Sequence, residues 1–229
     1  MMTTILRITY LLLPILIGYF LGSVNNAIII GKVFFKKDPR DYGSKNSGGT
    51  NAGRVFGYKI GLLVIILDMI KTFAPMIVLY FVYKNTICLE EAARFVDFDQ
   101  YAIFLAGIGS TLGHCFPIYY GFKGGKAVST LGGICLFTSW FVTLIGLVSF
   151  FLILKLKKYV SLASICTSIV VVLASIGAIF LPIGMNFGIK ANWMYSLFLA
   201  VISTLLIIRH IPNIKRLLNH SESKIKWMK

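Results

Sequence analysis

Five apolar runs govern what this chain can become: those near residues 9–32, 59–83, 100–117, 159–181 and 191–209. Roughly 20 predominantly apolar residues in a helix cross the ~30 Å hydrocarbon core of a bilayer. Inside hydrocarbon each backbone N–H and C=O must find its partner within the protein, so such runs fold as helices. The composition agrees: of 229 residues, 57% are hydrophobic and only 14% charged, against about 25% charged in a soluble domain. The expected fold class is an all-α membrane protein, a transmembrane bundle built as a single domain over 1–229. Arg7 precedes a first run too long for a signal-peptide core and without an A-x-A-like cleavage site, so that span is expected to stay.

A further apolar stretch, 127–154, decides the topology. Lys and Arg collect on the cytoplasmic side of membrane proteins. Residues 32–59 hold Lys32, Lys36, Lys37, Arg40, Lys45, Arg54 and Lys59 against Asp38 and Asp41, and are expected inside. Residues 84–100 hold Glu90, Glu91, Asp97 and Asp99 against Lys84 and Arg94, which suits the outside. That alternation returns the segment FKGGK (122–126) to the inside. One crossing through 127–154 would place Lys155, Lys157 and Lys158 outside; two short passes, turning near Ser139–Trp140, keep every basic cluster inside. The 28 residues of this stretch reach only ~42 Å as helix, while two full crossings need ~60 Å. Either the passes are short or part of the stretch is re-entrant. The expectation is seven helices, with the N-terminus outside and the C-terminus cytoplasmic.

Charge narrows the partners. There are 23 basic and 8 acidic residues, a net charge of +15. In a membrane protein such an excess points to cytoplasmic loops and anionic membrane lipids rather than nucleic acid. Cys88, Cys115, Cys135 and Cys166 have no C-x-x-C spacing and read as buried apolar thiols.

Under this topology four polar segments share the cytoplasmic face: 38–54, 113–130, 157–162 and 209–223. In GSKNSGGTNAGR (43–54), glycines permit φ > 0 and hydroxyls and amides donate to an anion without adding charge. Arg54 adds a planar fork suited to phosphate. A merely flexible loop would also be rich in Gly and Asn. FKGGKAVST (122–130) departs from the G-x-x-x-x-G-K-[ST] pattern of nucleotide-binding loops. It still offers the N–H groups of Gly124 and Gly125 to an oxyanion, with Lys126 opening a helix. Its plainer reading is a pair of juxtamembrane lysines at lipid phosphates. His210 and Asn213, three apart, share one helical face. Asp68 and Lys71 lie about ten residues into the second span as an i,i+3 pair, serving either function or packing.

Several chemistries lack their motifs. No G-x-S-x-G elbow supports a serine-hydrolase triad. No His-x4-Asp arrangement of common glycerolipid acyltransferases is present, nor the D-x-x-D-G cluster of alcohol phosphatidyltransferases. The acidic residues expected at the cytoplasmic face, Asp38, Asp41 and Glu222, form no obvious acid–base pair. The groups expected to titrate near neutrality are His114, His210 and a substrate phosphate. A transporter of an anionic phosphorylated solute is the competing class, but no internal repeat supports it.

The order G-S-x-N-x-G-x-T-N-x-x-R (43–54), D-x-x-K (68–71), G-H-x-F-P (113–117), G-F-K-G-G-K (121–126), Y-x-S-L (159–162), R-H-x-x-N-I-x-R-L (209–217) and Glu222 resembles the bacterial acyl-phosphate:glycerol-3-phosphate acyltransferases. The likeness runs through nearly the whole chain. It implies a seven-helix enzyme of the cell membrane with its motifs on the cytoplasmic side. It implies acyl transfer from acyl phosphate to the sn-1 hydroxyl of glycerol 3-phosphate, the first step of phospholipid biosynthesis, with no metal or cofactor. The donor's own phosphate would accept the hydroxyl proton. By the same likeness Ser44, Lys126, His210 and Asn213 are the catalytic candidates. Arg54, Asn46, Thr50, Asn51, Gly124, Gly125 and Ser161 are the substrate-binding candidates. Lys45 and Ala127 stand where that family usually has Gly, Gly49 and Ser129 where it usually has Ala.

Overall fold

The computed structural model describes residues 2–85, 98–181 and 191–225. The 86–97 part of the acidic segment expected outside, with Cys88, lies beyond the described residues. Ten α-helices are described: α1 (Met2–Gly22), α2 (Asn26–Phe35), α3 (Gly49–Phe56), α4 (Tyr58–Asn85), α5 (Phe98–Cys115), α6 (Val128–Thr138), α7 (Trp140–Lys157), α8 (Val160–Phe180), α9 (Trp193–Arg209) and α10 (Ile211–Leu218). Among the described residues five stretches are long and apolar enough to cross a membrane: Leu11–Phe35, Tyr58–Val82, Gln100–Tyr120, Trp140–Lys157 and Val160–Phe180. The pair α9–α10, bent by 55°, makes a sixth if counted as one span. The packing divides into two units, residues 1–125 and 126–229.

In the first unit α1 and α5 pack backbone to backbone. A Cβ built on Gly18 would run into the Ala106 carbonyl oxygen, and one on Gly22 into that of Ser110. From the other side, Gly109 meets Ile15 O and Gly113 meets Tyr19 O in the same way. Two G-x-x-x-G patterns therefore face each other. Lipid tails are as apolar as leucine, so membrane helices associate through close packing and hydrogen bonds, and small residues permit both. Tyr19 Oη donates to Phe116 O (2.9 Å) at the end of this seam. A second core forms where α2, α3 and α4 meet, around Ala27, Ile30, Ala52 and Val64, covered by Phe56, Ile60 and Leu67.

The first apolar run is not one continuous helix. It breaks at Ser23–Asn25, where Asn25 Oδ1 accepts from Ile28 N (3.1 Å) and caps α2. The Asn25–Asn26 dipeptide within an apolar run is the sequence signal for that break.

In the second unit 127–154 does form two helices, broken at Ser139, but unequal ones. The 18 residues of α7 reach ~27 Å and match a bilayer, while the 11 of α6 reach ~16 Å, half a crossing. Ser139 is extended (φ −156°) and its Oγ accepts from Val142 N (3.3 Å), restarting the chain as α7. Hydroxyls bind the helices to one another: Thr138 to Tyr195 Oη (3.0 Å), Ser175 to Ser196 (3.0 Å) and Ser203 to the Ser168 carbonyl (3.1 Å).

Candidate active site

The first unit brings together two of the polar segments singled out by sequence. Asn51, on α3, is the hub of the first. Its amide nitrogen donates to Pro39 O (2.7 Å), Asn46 O (2.9 Å) and Tyr42 O (3.1 Å), and its oxygen accepts from Ser44 N (2.8 Å). Asn51 thus shapes the loop, and its polar atoms are taken up in doing so. Asn46 Oδ1 accepts from Gly48 N (2.9 Å), while its nitrogen donates to Gly124 O (3.3 Å), joining the loop to the second segment. Arg40, gripped by Asp38 through two parallel bonds (3.0 and 2.8 Å), donates to Tyr120 O (2.9 Å) and joins them again. Ser47, missed in the sequence reading, is buried and accepts from Asn25 Nδ2 (2.8 Å). Ser44 is half-buried, and Thr50 and Arg54 are exposed one turn apart on α3.

Gly124 and Gly125 owe their place to the absence of a Cβ. One built on Gly124 would collide with His114 O, and one on Gly125 with the His114 imidazole. The Gly125 N–H donates to His114 O (2.9 Å), which corrects the expectation that both glycine N–H groups face an oxyanion. Lys126 does not open the helix either: α6 starts at Val128, with Ala127 as its cap.

Two departures from the usual glycines fall at left-handed positions, Lys45 (φ 56°) and Ala127 (φ 64°). A side chain there costs about 1–2 kcal/mol that glycine avoids. Lys45 is exposed and recovers little of this, whereas the Ala127 methyl is fully buried and recovers part of it.

The second unit carries a chain of polar contacts. Lys126 Nζ donates to Asn213 Oδ1 (2.6 Å), and Asn213 Nδ2 donates to Glu222 Oε1 (2.8 Å). The same oxygen accepts from Ser161 Oγ (2.9 Å), and Glu222 Oε2 accepts from Arg216 Nε (2.6 Å). Ile225 N donates to Lys158 O (2.9 Å), holding the tail beside the start of α8. Burial alone would raise the Glu222 pKa. The hydrogen bonds from Asn213, Arg216 and Ser161 overcome this and hold it below its ordinary 4.5.

His210 follows the last residue of α9 and precedes α10. Its Nδ1 lies 2.8 Å from Leu206 O. A carbonyl only accepts, so Nδ1 carries the hydrogen and Nε2 keeps the lone pair. Burial, the largest influence, and the nearby Lys126 charge lower this imidazole from 6.5 to about 4. It is therefore neutral at pH 7, which corrects the expectation that it titrates near neutrality. Among the described residues no group of three His, Cys, Asp or Glu could hold a metal ion.

The fold and these clusters define a multi-pass, helical membrane protein whose polar loops carry organised hydrogen-bond donors and cations. Comparison with known proteins makes the class specific. The family model described as Glycerol-3-phosphate acyltransferase matches residues 12–220. Curated proteins of the same name are similar along their whole length. One from Listeria monocytogenes serotype 4a (strain HCC23) is 35% identical over 218 residues, covering 95% of this chain and 98% of that one. One from Staphylococcus aureus (strain bovine RF122 / ET3-1) is 37% identical, covering 95% and 99%. Among solved structures, the glycerol 3-phosphate form of PlsY (YgiH), an integral membrane glycerol 3-phosphate acyltransferase, superposes with a TM-score of 0.77 at 33% identity, covering 94% of this chain and 95% of that one. The lysophosphatidic acid form of PlsY gives 0.75 at 32% identity. The chain belongs to the glycerol-3-phosphate acyltransferase family.

Proposed function

We propose that this protein transfers a fatty acyl group from an acyl phosphate to the sn-1 hydroxyl of glycerol 3-phosphate, giving 1-acylglycerol 3-phosphate and inorganic phosphate. Acylation of glycerol 3-phosphate is the activity of its family and leads into phospholipid biosynthesis. The observation that carries the choice of donor is the setting of Lys126. A neutral amide, Asn213, orients its ammonium, and the carboxylate Glu222 sits behind that amide. A cation so placed suits a leaving phosphate, where charge develops as the acyl bond breaks.

In this reading Arg54, with Thr50 and Ser44, receives the phosphate of glycerol 3-phosphate, on a loop that Asn46 and Asn51 shape. Gly124 and Gly125 set the backbone leading to Lys126, which meets the donor phosphate. Ser161 and Asn213 act through Glu222 to hold Lys126. The sn-1 oxygen attacks the acyl carbon, the carbon–oxygen bond to phosphorus breaks, and the phosphate leaves with the electron pair. The hydroxyl proton passes to that same phosphate. His210, neutral and far weaker as a base than an ordinary imidazole, orients the hydroxyl by accepting its hydrogen bond at Nε2. An acyl phosphate is already an activated anhydride, so positioning and charge screening supply the remaining catalysis.

Arg54→Lys is the direct test. It keeps the charge but loses the two-pronged donor geometry. Charge-assisted hydrogen bonds contribute about 1.5–3 kcal/mol, so the KM for glycerol 3-phosphate should rise about ten- to a hundredfold. The readout is phosphate release from an acyl phosphate that depends on glycerol 3-phosphate. An unchanged KM removes Arg54 from the acceptor site, and release independent of glycerol 3-phosphate removes the reaction.

The lysine pattern supports seven helical passes, the N-terminus outside, and the C-terminus and reactive loops in the cytoplasm, with α6 as the short pass. Lys157→Cys in sealed cells should resist a thiol reagent that cannot cross the membrane. Ready labelling from outside would refute this topology.

A further inference from the structure

Asp68 and Lys71 lie one turn apart on α4, paired at 2.9 Å, with both side chains nine-tenths or more buried. Neither belongs to the two clusters above. Lys71 Nζ donates to Val24 O (2.6 Å), closing the backbone break between α1 and α2. Asp68 Oδ1 accepts from Asn26 Nδ2 (2.9 Å), while Oδ2 lies 3.8 Å from His114 Nδ1. His114, 2% exposed, is near the end of α5. The other edge of its imidazole, around Nε2, occupies the space that a side chain on Gly125 would need. Its own carbonyl accepts the Gly125 N–H (2.9 Å). One residue thus holds Gly125 twice, by ring and by backbone, and the next residue in the chain is Lys126.

We propose that His114 is a positioning residue for the Gly124–Gly125 loop, with the buried Asp68 carboxylate as its charged neighbour. The carboxylate lies beside the Nδ1 edge at 3.8 Å, a charge contact that biases which way the ring faces, and the ring fixes how far Gly125 can sink. The path of the backbone into Lys126 follows from that. A packing histidine alone would need no carboxylate behind it and no glycine in front. The proposal rests on the reading of Lys126 as the phosphate-binding cation.

The experiment is a double-mutant cycle in the purified full-length protein, read as kcat and KM for both substrates with palmitoyl phosphate as donor. Gly125→Ala drives a methyl into the imidazole and should lower kcat about a hundredfold, the scale of a 1 Å misplacement. In a His114→Ala background the methyl has room, so the same substitution should cost less than about tenfold more. His114→Gln should lower kcat about ten- to a hundredfold, with thermal stability and the KM for glycerol 3-phosphate nearly unchanged. If His114→Ala fails to fold, the His114→Gln pair, with and without Gly125→Ala, still decides. To probe the carboxylate, Asp68→Asn combined with Lys71→Met removes both charges and leaves neither unpaired. It should reproduce the kcat loss of His114→Gln in a folded protein.

Equal, multiplicative losses from Gly125→Ala in both backgrounds would overturn the inference. So would wild-type kcat in His114→Gln, or in the folded Asp68–Lys71 double variant. Those results leave Lys126 untouched. An active Lys126→Ala variant would instead overturn the reading beneath the proposal.

Discussion

Lys126→Ala should yield a folded protein whose turnover is about a hundred- to a thousandfold below wild type, the scale at which lost electrostatic donors register in other enzymes. The ammonium stands 2.6 Å from Asn213 Oδ1, on an amide held in turn by Glu222. In the proposed reaction, its removal takes away the cation that screens the charge developing on the leaving phosphate. The loss should therefore fall on kcat, with a smaller rise in the KM for the acyl phosphate. The pH dependence gives a companion readout. His210 carries little charge above about pH 5, since burial has lowered it to about 4. A rate that changes between pH 6 and 8 then follows the ionisation of phosphate, and His210→Asn should keep that profile while losing rate. A Lys126→Ala variant within tenfold of wild type would remove Lys126 from catalysis.

Glu222→Ala should combine a stability defect with an activity defect. One carboxylate, its side chain 5% exposed, accepts from Ser161, Asn213 and Arg216. Its loss leaves buried donors on Ser161 and Asn213 without it. Arg216 is 40% exposed and can turn to water, which limits its share. A hydrogen bond to a charged group contributes about 1.5–3 kcal/mol, and each kcal/mol moves the melting point of a chain this size by roughly 2–4 °C. A fall of about 3–12 °C is expected, with kcat reduced as Asn213 no longer aligns Lys126. Glu222→Gln should not fully restore either, because an amide presents N–H to one of three donors. The carboxyl is held below 4.5 in the fold, so its contribution is complete above that pH and is lost as pH falls through the lower folded value. Glu222→Ala should thus lose its stability difference from wild type in acid. An unchanged melting point at pH 7 would refute the role of this carboxylate as the tie.

What the sequence reveals is set by what each feature depends on. The spans follow from runs of apolar side chains, and the interruption at Ser139–Trp140 is visible because a single pass through 127–154 would put Lys155, Lys157 and Lys158 on the wrong side. The polar residues of the loops are legible as chemical types. Their division of labour is not: Asn51 and Asn46 look alike in sequence, yet one is consumed inside its loop and the other also ties it to Gly124. The α1–α5 seam hides because glycine within an apolar run reads as one more apolar residue, although its spacing of four was there to find. His114 reads as a group titrating near neutrality, and only the structure seats it between Asp68 and Gly125. Likewise, nothing in R-H-x-x-N announces that His210 sinks far enough from water to stay neutral.

The seam also sets an order on biosynthesis. Tyr19 and its acceptor Phe116 are 97 residues apart, so α1 leaves the ribosome long before α5 exists. In that interval the grooves at Gly18 and Gly22 are open to acyl chains, which must be squeezed out when Gly109 and Gly113 arrive. Insertion of the first helix and assembly of the first unit are therefore separate events in time. A nascent chain arrested before α5 would be anchored in the bilayer yet lack the glycines that close this seam.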